Sequence, residues 1–274
     1  MTRVLTKRHV KAFREEIYHY YESYGRHDLP WRKTHNPYRI LISEVMLQQT
    51  QVSRVSEKYI EFIRKFPSPR RLARAPLREV LRTWSGLGYN RRALALKRLA
   101  QTLVKEYAGE IPHNLDELRT LSGIGNATAS AILTFAFNEP IIFLETNVRT
   151  VFIAFFFKRK RKVHDNEILP FIEKTLDMHS PREWYFALMD YGAMLKRRRN
   201  PSRKSIHHRA QGAFEGSSRQ ARGALLRALT KKTLSLKEAV EVGKRTRKET
   251  ETILARLVKE GFLKKRRGKF LLTT

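Results

Sequence analysis

The segment Leu121-Ser122-Gly123-Ile124-Gly125 separates two helical patterns, and no other stretch of the 274-residue chain constrains the fold as strongly. Two glycines one residue apart allow a tight turn and a close backbone approach to a ligand. The patterns at about 114–120 and at Ala127 to Phe137 then form a helix, a hairpin and a second helix. The second helix is rich in small residues, and its first N–H groups would face a phosphate. Gly123, Gly125, Asn126 and Ala127 are the expected phosphate-contacting positions. Glu145, in Phe143-Leu144-Glu145-Thr146-Asn147-Val148, follows eighteen positions after Ala127. A backbone clamp for a phosphate followed by an acid suits a protein that holds DNA and acts on one of its bases. A GxG alone is usually an ordinary turn; the flanking helices and the following carboxylate give this one its weight.

The charge points the same way. Lys and Arg number 56 against 26 Asp and Glu, a net +30, and cations in this excess favour a polyanion through counterion release. A basic ribosome-associated protein, or one that is merely soluble, would carry similar charge. The 41% of apolar residues suffices for a packed core. No run approaches the roughly 18 uncharged apolar residues of a membrane helix; Val151 to Phe157 ends in Lys158-Arg159-Lys160-Arg161-Lys162. Met1-Thr2-Arg3-Val4-Leu5 lacks a secretion signal's apolar core. The expectation is a cytoplasmic, nucleoid-associated monomer with double-stranded DNA as partner and no membrane. With no cysteine in the chain, disulfides and cysteine-ligated iron–sulfur clusters are excluded. The histidines show no metal-ligand spacing; His207-His208 read as solvated or phosphate-facing.

The organisation is mainly α. Residues 7–24 read as a helix with Val10, Phe13, Ile17, Tyr20 and Tyr21 on one side. Leu29-Pro30-Trp31-Arg32 breaks it, and Pro37 can open the next helix, whose apolar face continues through Ile40, Leu41, Val45 and Leu47. Helical patterns follow at about 52–65, 69–74, 76–84, 91–107 and 114–120, punctuated by Pro67, Pro69, Pro76 and Pro112. Strand signals are nearly absent before residue 260. The basic, aperiodic stretch 196–218 holds a linker, with a larger helical domain at 1–200, the linker at 201–216 and a separate module at 217–274. In that module 219–230, a short helix from Ser235 through Val242 and a helix capped by Thr246 precede two strands, Glu260 to Leu263 and Lys269 to Leu272. The strands flank a basic turn, Lys264 to Gly268. Three helices and a basic hairpin make a winged helix. Residues 217–274 carry a net +12, and the four cations at the wing tip favour DNA over protein docking.

Glu44 lies in Ser43-Glu44-Val45-Met46-Leu47-Gln48-Gln49-Thr50. A carboxyl inside an apolar helical run costs several kcal/mol to bury charged, and burial favours the protonated form that a general acid needs. A surface Glu or a structural ion pair is an equal reading of the pattern alone. Glu145 could stabilise a cationic sugar or position water, and it could also cap a helix.

With these residues in view the chain resembles MutY-type adenine DNA glycosylases of the helix-hairpin-helix superfamily that includes endonuclease III. The motifs are Leu29-Pro30-Trp31-Arg32, Ser43 to Val52, Trp84-Ser85-Gly86-Leu87-Gly88-Tyr89, Leu121 to Gly125 and Met189-Asp190-Tyr191-Gly192-Ala193-Met194, in order over about residues 8 to 200. The resemblance implies a two-lobed helical fold that flips a base out of the duplex. It implies Glu44 as the acid that protonates the departing base, Gln49 and Tyr89 as wedges beside Gln48, Arg32 in the base pocket, and Asn147 supporting the catalytic carboxylate. Relatives often hold a monovalent cation at the hairpin. Four departures stand out. Glu145 replaces the usual Asp. Ala127 occupies the slot of Lys in glycosylase–lyases and of Ser or Tyr in MutY, so no Schiff-base nucleophile is expected there. Lys196, Arg203, Ile206 and Gly212 stand at the spacing of four cluster cysteines. The winged helix stands where MutY carries a domain resembling nucleotide hydrolases. Phe186 also falls where MutY places Glu or Gln against the adenine edge. The expected activity is monofunctional release of adenine opposite 8-oxoguanine or guanine. The alternatives are a thymine or uracil glycosylase acting opposite guanine, and a non-catalytic lesion binder.

Overall fold

The computed structural model describes residues 5–209 and 212–273. Among them the chain forms fourteen α-helices and one two-stranded sheet. They divide into two compact units.

The described part of the first unit comprises residues 5–40, 113–119 and 125–209. Its helices are α1 (Lys7–Tyr24), the start of α2 (Pro37–Leu47), most of α7 (Leu115–Thr120), α8 (Asn126–Phe137), α9 (Thr146–Phe156), α10 (Asp165–Thr175) and α11 (Pro181–Arg198). Thr6 opens α1 with a reciprocal cap to His9, and Phe13, Ile17 and Tyr21 recur every fourth residue on its buried face. Val10 and Tyr20 sit at that face's margin. The core is aromatic: Phe13 packs against Phe152 of α9 at 5.5 Å and Trp184 of α11 at 5.7 Å. Burying each such side chain is worth about 1.5–3 kcal/mol. α8 is buried from Ala129 through Ala136, which explains its lack of charge.

The second unit comprises 41–112, 120–124 and 212–273. It contains the end of α2, α3 (Val52–Lys65), α4 (Pro69–Arg74), α5 (Leu77–Thr83), α6 (Arg91–Glu106), α12 (Ser218–Leu229), α13 (Leu236–Gly243), α14 (Arg247–Lys259), β1 (Leu263–Arg266) and β2 (Lys269–Leu272). Phe62, Phe66, Leu72, Val80, Trp84 and Leu99 form its interior. Lys97 of α6 donates to the carbonyls of Ala73 (3.1 Å) and Ala75 (2.6 Å), closing the end of α4.

Three sequence expectations change. The first strand begins later than expected, at Leu263, while the second keeps its expected limits, and β1 pairs Leu263 with Leu272 through Arg266 with Lys269. Only Arg267 and Gly268 turn, both at positive φ, the pattern of a two-residue hairpin turn. Lys264, Lys265 and Arg266 are therefore strand residues exposed along an edge rather than a loop tip. Leu234 adds a bridge to Phe270, exchanging hydrogen bonds of 3.0 and 2.7 Å. The stretch 201–209 is not free: Val163 N–H donates to Lys204 O (2.9 Å), Ile206 N–H to Val163 O (3.2 Å), and Ser202 is buried. Residues 210 and 211 of the expected linker, residues 1–4 of the N-terminal segment and residue 274 lie outside the described residues. Finally, residues 212–273 cluster with 41–112 instead of standing apart. Glu260 is held by Arg91 of α6 and Arg222 of α12. Arg98 donates to Glu260 O (2.8 Å) and Arg82 to Thr230 O (2.7 Å). These cross-links lie far apart in sequence, so no local pattern announced them.

Candidate active site

Within the first unit the site is built around the start of α9. The stretch from Glu139 to Glu145 is irregular backbone. Tyr185 of α11 fixes it: its hydroxyl accepts from Phe143 N–H (3.1 Å) and donates to Ile141 O (3.0 Å), and the two rings stack at 4.0 Å. Glu145 is the N-cap of α9. Its Oε1 accepts from the N–H groups of Asn147 (2.7 Å) and Val148 (2.8 Å), and its Oε2 from Asn147 Nδ2 (3.3 Å). The cap and the candidate acid are thus one residue. Burial raises its pKa above the ordinary carboxylate range, against the two backbone donors and the nearby charges of Lys196 and Arg149, which lower it. Glu145 is partly exposed, and a carboxylate with reduced hydration that is aimed by fixed dipoles stabilises a developing cation more strongly than a fully solvated one.

Gly192 of α11 makes this placement possible. A Cβ there would lie 2.3 Å from Asn147 O and 2.8 Å from Asn147 Cβ. α11 can approach the residue that orients Glu145 only because position 192 has no side chain. In the sequence Gly192 stands within the Met189 to Met194 motif with no chemistry of its own to mark it; a glycine inside an otherwise regular helix is the available signal.

Arg32 and Phe186, both expected at the base, are core residues of this unit, each 5% exposed by side chain or residue. Arg32 Nη1 and Nη2 donate to Asp190 Oδ2 (2.7 Å) and Oδ1 (2.9 Å), and its guanidinium lies 4.4 Å from the Phe186 ring centre. Phe186 stacks on Phe135 at 4.5 Å. Arg26 adds two further bonds to Asp190, from N–H (2.7 Å) and Nε (2.6 Å). Desolvation pushes the Asp190 carboxyl up, but the Arg32 and Arg26 partners outweigh it and hold it below the usual range. α8 opens at Gly125, which offers no capping side chain, so Asn126 and Ala127 lie in a first turn whose N–H groups lack intrahelical acceptors.

Within the second unit, Gly123 sits at φ +84, and a Cβ there would meet Ala95 Cβ at 2.9 Å. Glu44 lies on α2 between buried Ser43 and Val45, partly exposed rather than enclosed. Gln48 is partly buried, Gln49 is exposed at φ 55, and Tyr89 is partly buried at φ 46. One buried residue that sequence reasoning missed joins their loops. Arg92 Nη1 donates to the carbonyls of Val45 (2.9 Å), Met46 (2.8 Å) and Gln48 (2.5 Å). Its Nη2 donates to Thr50 Oγ1 (2.9 Å), Leu87 O (3.2 Å) and Gly88 O (3.2 Å). It closes the α2 C-terminus, where a cation is favoured, and burial lowers its pKa to about 10, leaving it charged at neutral pH.

A family model described as HhH-GPD superfamily base excision DNA repair protein matches residues 42–169. The chain is 34% identical over 195 residues to the thymine/uracil-DNA glycosylase of Pyrobaculum aerophilum, covering 69% of this chain and 85% of that protein. It is 35% identical over 250 residues to the adenine DNA glycosylase of Mycolicibacterium smegmatis, covering 82% of each. The chain belongs to the HhH-GPD superfamily of base excision DNA repair proteins. The MutY-type resemblance in its motifs agrees with these relatives. They include the adenine DNA glycosylase of Buchnera aphidicola subsp. Baizongia pistaciae, 37% identical over 194 residues and 69% of this chain, of which the chain spans only 54%. Among solved structures, a thermostable thymine-DNA glycosylase matches with a TM-score of 0.61 and 26% identity over 70% of this chain and 90% of that one. Endonuclease III in a trapped covalent intermediate with DNA matches at 0.56 and 24% over 77% and 92%, a likeness of fold.

The cluster found in some members of this superfamily does not fit the present residues. Of Lys196, Arg203, Ile206 and Gly212, none is a thiolate, and Ile206 and Gly212 have no donor atom in their side chains. Here the segment is held by the bridge between Val163 and Ser205 and by Asp165, which pairs with Arg149 (2.7 Å) and lies 3.7 Å from His207.

Proposed function

We propose that this HhH-GPD protein is a monofunctional DNA N-glycosylase that binds double-stranded DNA, flips a mismatched base and releases it without a resident cofactor. Adenine opposite 8-oxoguanine or guanine is the first substrate class, in keeping with the adenine DNA glycosylases among its relatives. Thymine or uracil opposite guanine is the second, favoured by the similarity to the Pyrobaculum protein along most of its length. The observation that carries the reading is the partly buried Glu145 carboxylate, oriented by Asn147 and Val148 at the start of α9.

In the proposed reaction Glu44 gives its proton to the departing base as the N-glycosidic bond breaks and the bond's electron pair leaves with the base. Glu145, in its ionised form, faces the cationic sugar. Its partial desolvation is offset further as that charge develops, which favours the transition state over the bound substrate. Water then adds to the sugar and loses a proton, leaving an abasic site. Ala127 offers no amine, so the strand stays intact. The basic surface binds phosphates, and the protein acts as a monomer on DNA in the cytoplasm.

A panel of mismatched duplexes, each incubated with the protein and then treated with alkali, tests this. Strand breaks at one mismatch, seen only after alkali, are expected, and Glu44→Gln should fall below about a tenth of the wild-type rate. Borohydride trapping of a protein–DNA adduct at the rate of base release would refute the monofunctional mechanism. Tight duplex binding with no base release on any mismatch would leave a lesion binder.

A further inference from the structure

We infer that Arg219, in the first turn of α12, is a positioning residue for Tyr89, which makes the C-terminal helices part of the base-interrogating apparatus. This rests on the proposed function, in which Tyr89 enters the base stack.

Gln49 and Tyr89 both hold left-handed backbone, φ 55 and 46, a conformation that side-chain-bearing residues seldom adopt and that tends to mark functional sites. Their loops share the buried Arg92. The Tyr89 ring lies 5.4 Å from the Arg92 guanidinium and 5.9 Å from that of Arg219. Arg219 Nη1 donates to the Tyr89 hydroxyl at 2.9 Å. Its Nη2 donates to Gly212 O (2.7 Å) and Ala213 O (3.2 Å). One guanidinium thus ties the chain entering α12 to the aromatic ring. Arg219 is itself placed: Ser217 caps α12 through Gln220 N–H, and Arg222, one turn on, joins Arg91 on Glu260.

This arrangement suits positioning better than the two alternatives. An arginine reserved for phosphate would turn its donors outward, whereas these are spent on a hydroxyl and two carbonyls. A latch would fold the ring away, whereas Tyr89 stays partly exposed. An aromatic held in place before binding loses less freedom when it inserts.

The test uses the full chain and a short duplex carrying adenine opposite 8-oxoguanine, with 2-aminopurine beside the adenine to report unstacking by stopped-flow fluorescence. Arg219→Ala should lower the unstacking equilibrium about tenfold. Its affinity for a fully matched duplex, and the salt dependence of that affinity, should stay as in wild type. In a Tyr89→Phe background, which lacks the hydroxyl, Arg219→Ala should add less than about twofold. Arg219→Lys keeps the charge without the planar fork and should lose unstacking similarly, which carries the test if the Ala variant melts early. Unstacking that is unchanged or larger in Arg219→Ala overturns the inference, as does full additivity with Tyr89→Phe. So does a salt slope reduced by about 0.9, the mark of a lost phosphate contact. Wild-type protein that unstacks no mismatched duplex overturns the wedge reading together with the inference; base release with no sensitivity to Arg219 overturns the inference alone.

Discussion

Replacing Asp190 with Ala should destabilise the protein severely. The Asp190 side chain is 2% exposed and faces Arg32, 5% exposed, with Arg26 at 35% closing the third side. Removing the carboxylate leaves the Arg32 guanidinium buried against the Phe186 ring with only a long bond to Arg26 O (3.4 Å) on its fork. Breaking a buried pair from one side costs about 3–5 kcal/mol. The more exposed Arg26 arm should contribute no more than about 1 kcal/mol of its own. At about 2–4 °C per kcal/mol for a chain near this size, Asp190→Ala should lower Tm by about 6–20 °C, and Arg26→Ala by about 4 °C at most. Thermal melts followed by far-ultraviolet circular dichroism measure both. The pH dependence gives an independent check. Because the folded carboxyl titrates below its ordinary value, its stabilisation is full above the unfolded pKa of about 4. It is lost as pH falls through the folded pKa. The gap between wild type and Asp190→Asn should therefore close in acid. A Tm loss of less than about 2 °C for Asp190→Ala at neutral pH would refute the claim that this network holds α11 to the segment after α1.

Three further outcomes follow from the geometry. Glu145→Gln keeps an oxygen acceptor for the α9 cap while removing a desolvated charge, so it should lose base release yet melt higher at neutral pH. Since the folded pKa of Glu145 is raised, its stabilising share is greatest below the unfolded pKa and declines as pH rises through the folded one, so the Gln variant's advantage should shrink in acid; a variant less stable than wild type at neutral pH would contradict this. Gly192→Ala places a Cβ against Asn147 O, and a displacement of Glu145 near 1 Å should cost roughly a hundredfold in single-turnover base release; wild-type rates would show that α9 yields freely. Truncation after Gly216 removes the partners of Arg82, Arg91 and Arg98, so besides weakening DNA binding and its salt dependence it should lower Tm; an unchanged Tm would mean that the C-terminal helices are only loosely attached.

The sequence by itself determined the helices before residue 138 and after residue 217, because their signals are local; the limits of α9, α10 and α11 came only from the structure. Proline and serine or threonine starts, apolar repeats on one face and glycine breaks gave α1, α3 and α4 their observed limits and placed most others within a residue or two. It also singled out Glu145 as a helix cap, and the structure places it there, where the start of α9 supplies the N–H donors that orient its carboxylate. Tertiary structure alone decided where side chains face when several neighbours compete for them. Arg32 and Phe186 went to the core because Asp190 and Phe135 meet them there from other helices. Gly192 acquired its role because α9 crosses it, and Arg92 because the two loops it binds lie more than thirty residues apart. The association of residues 212–273 with 41–112 depends on Glu260 meeting Arg91 and Arg222. A charge on a helix reads the same in the sequence whether it faces water or a partner, and only the folded chain fixes which.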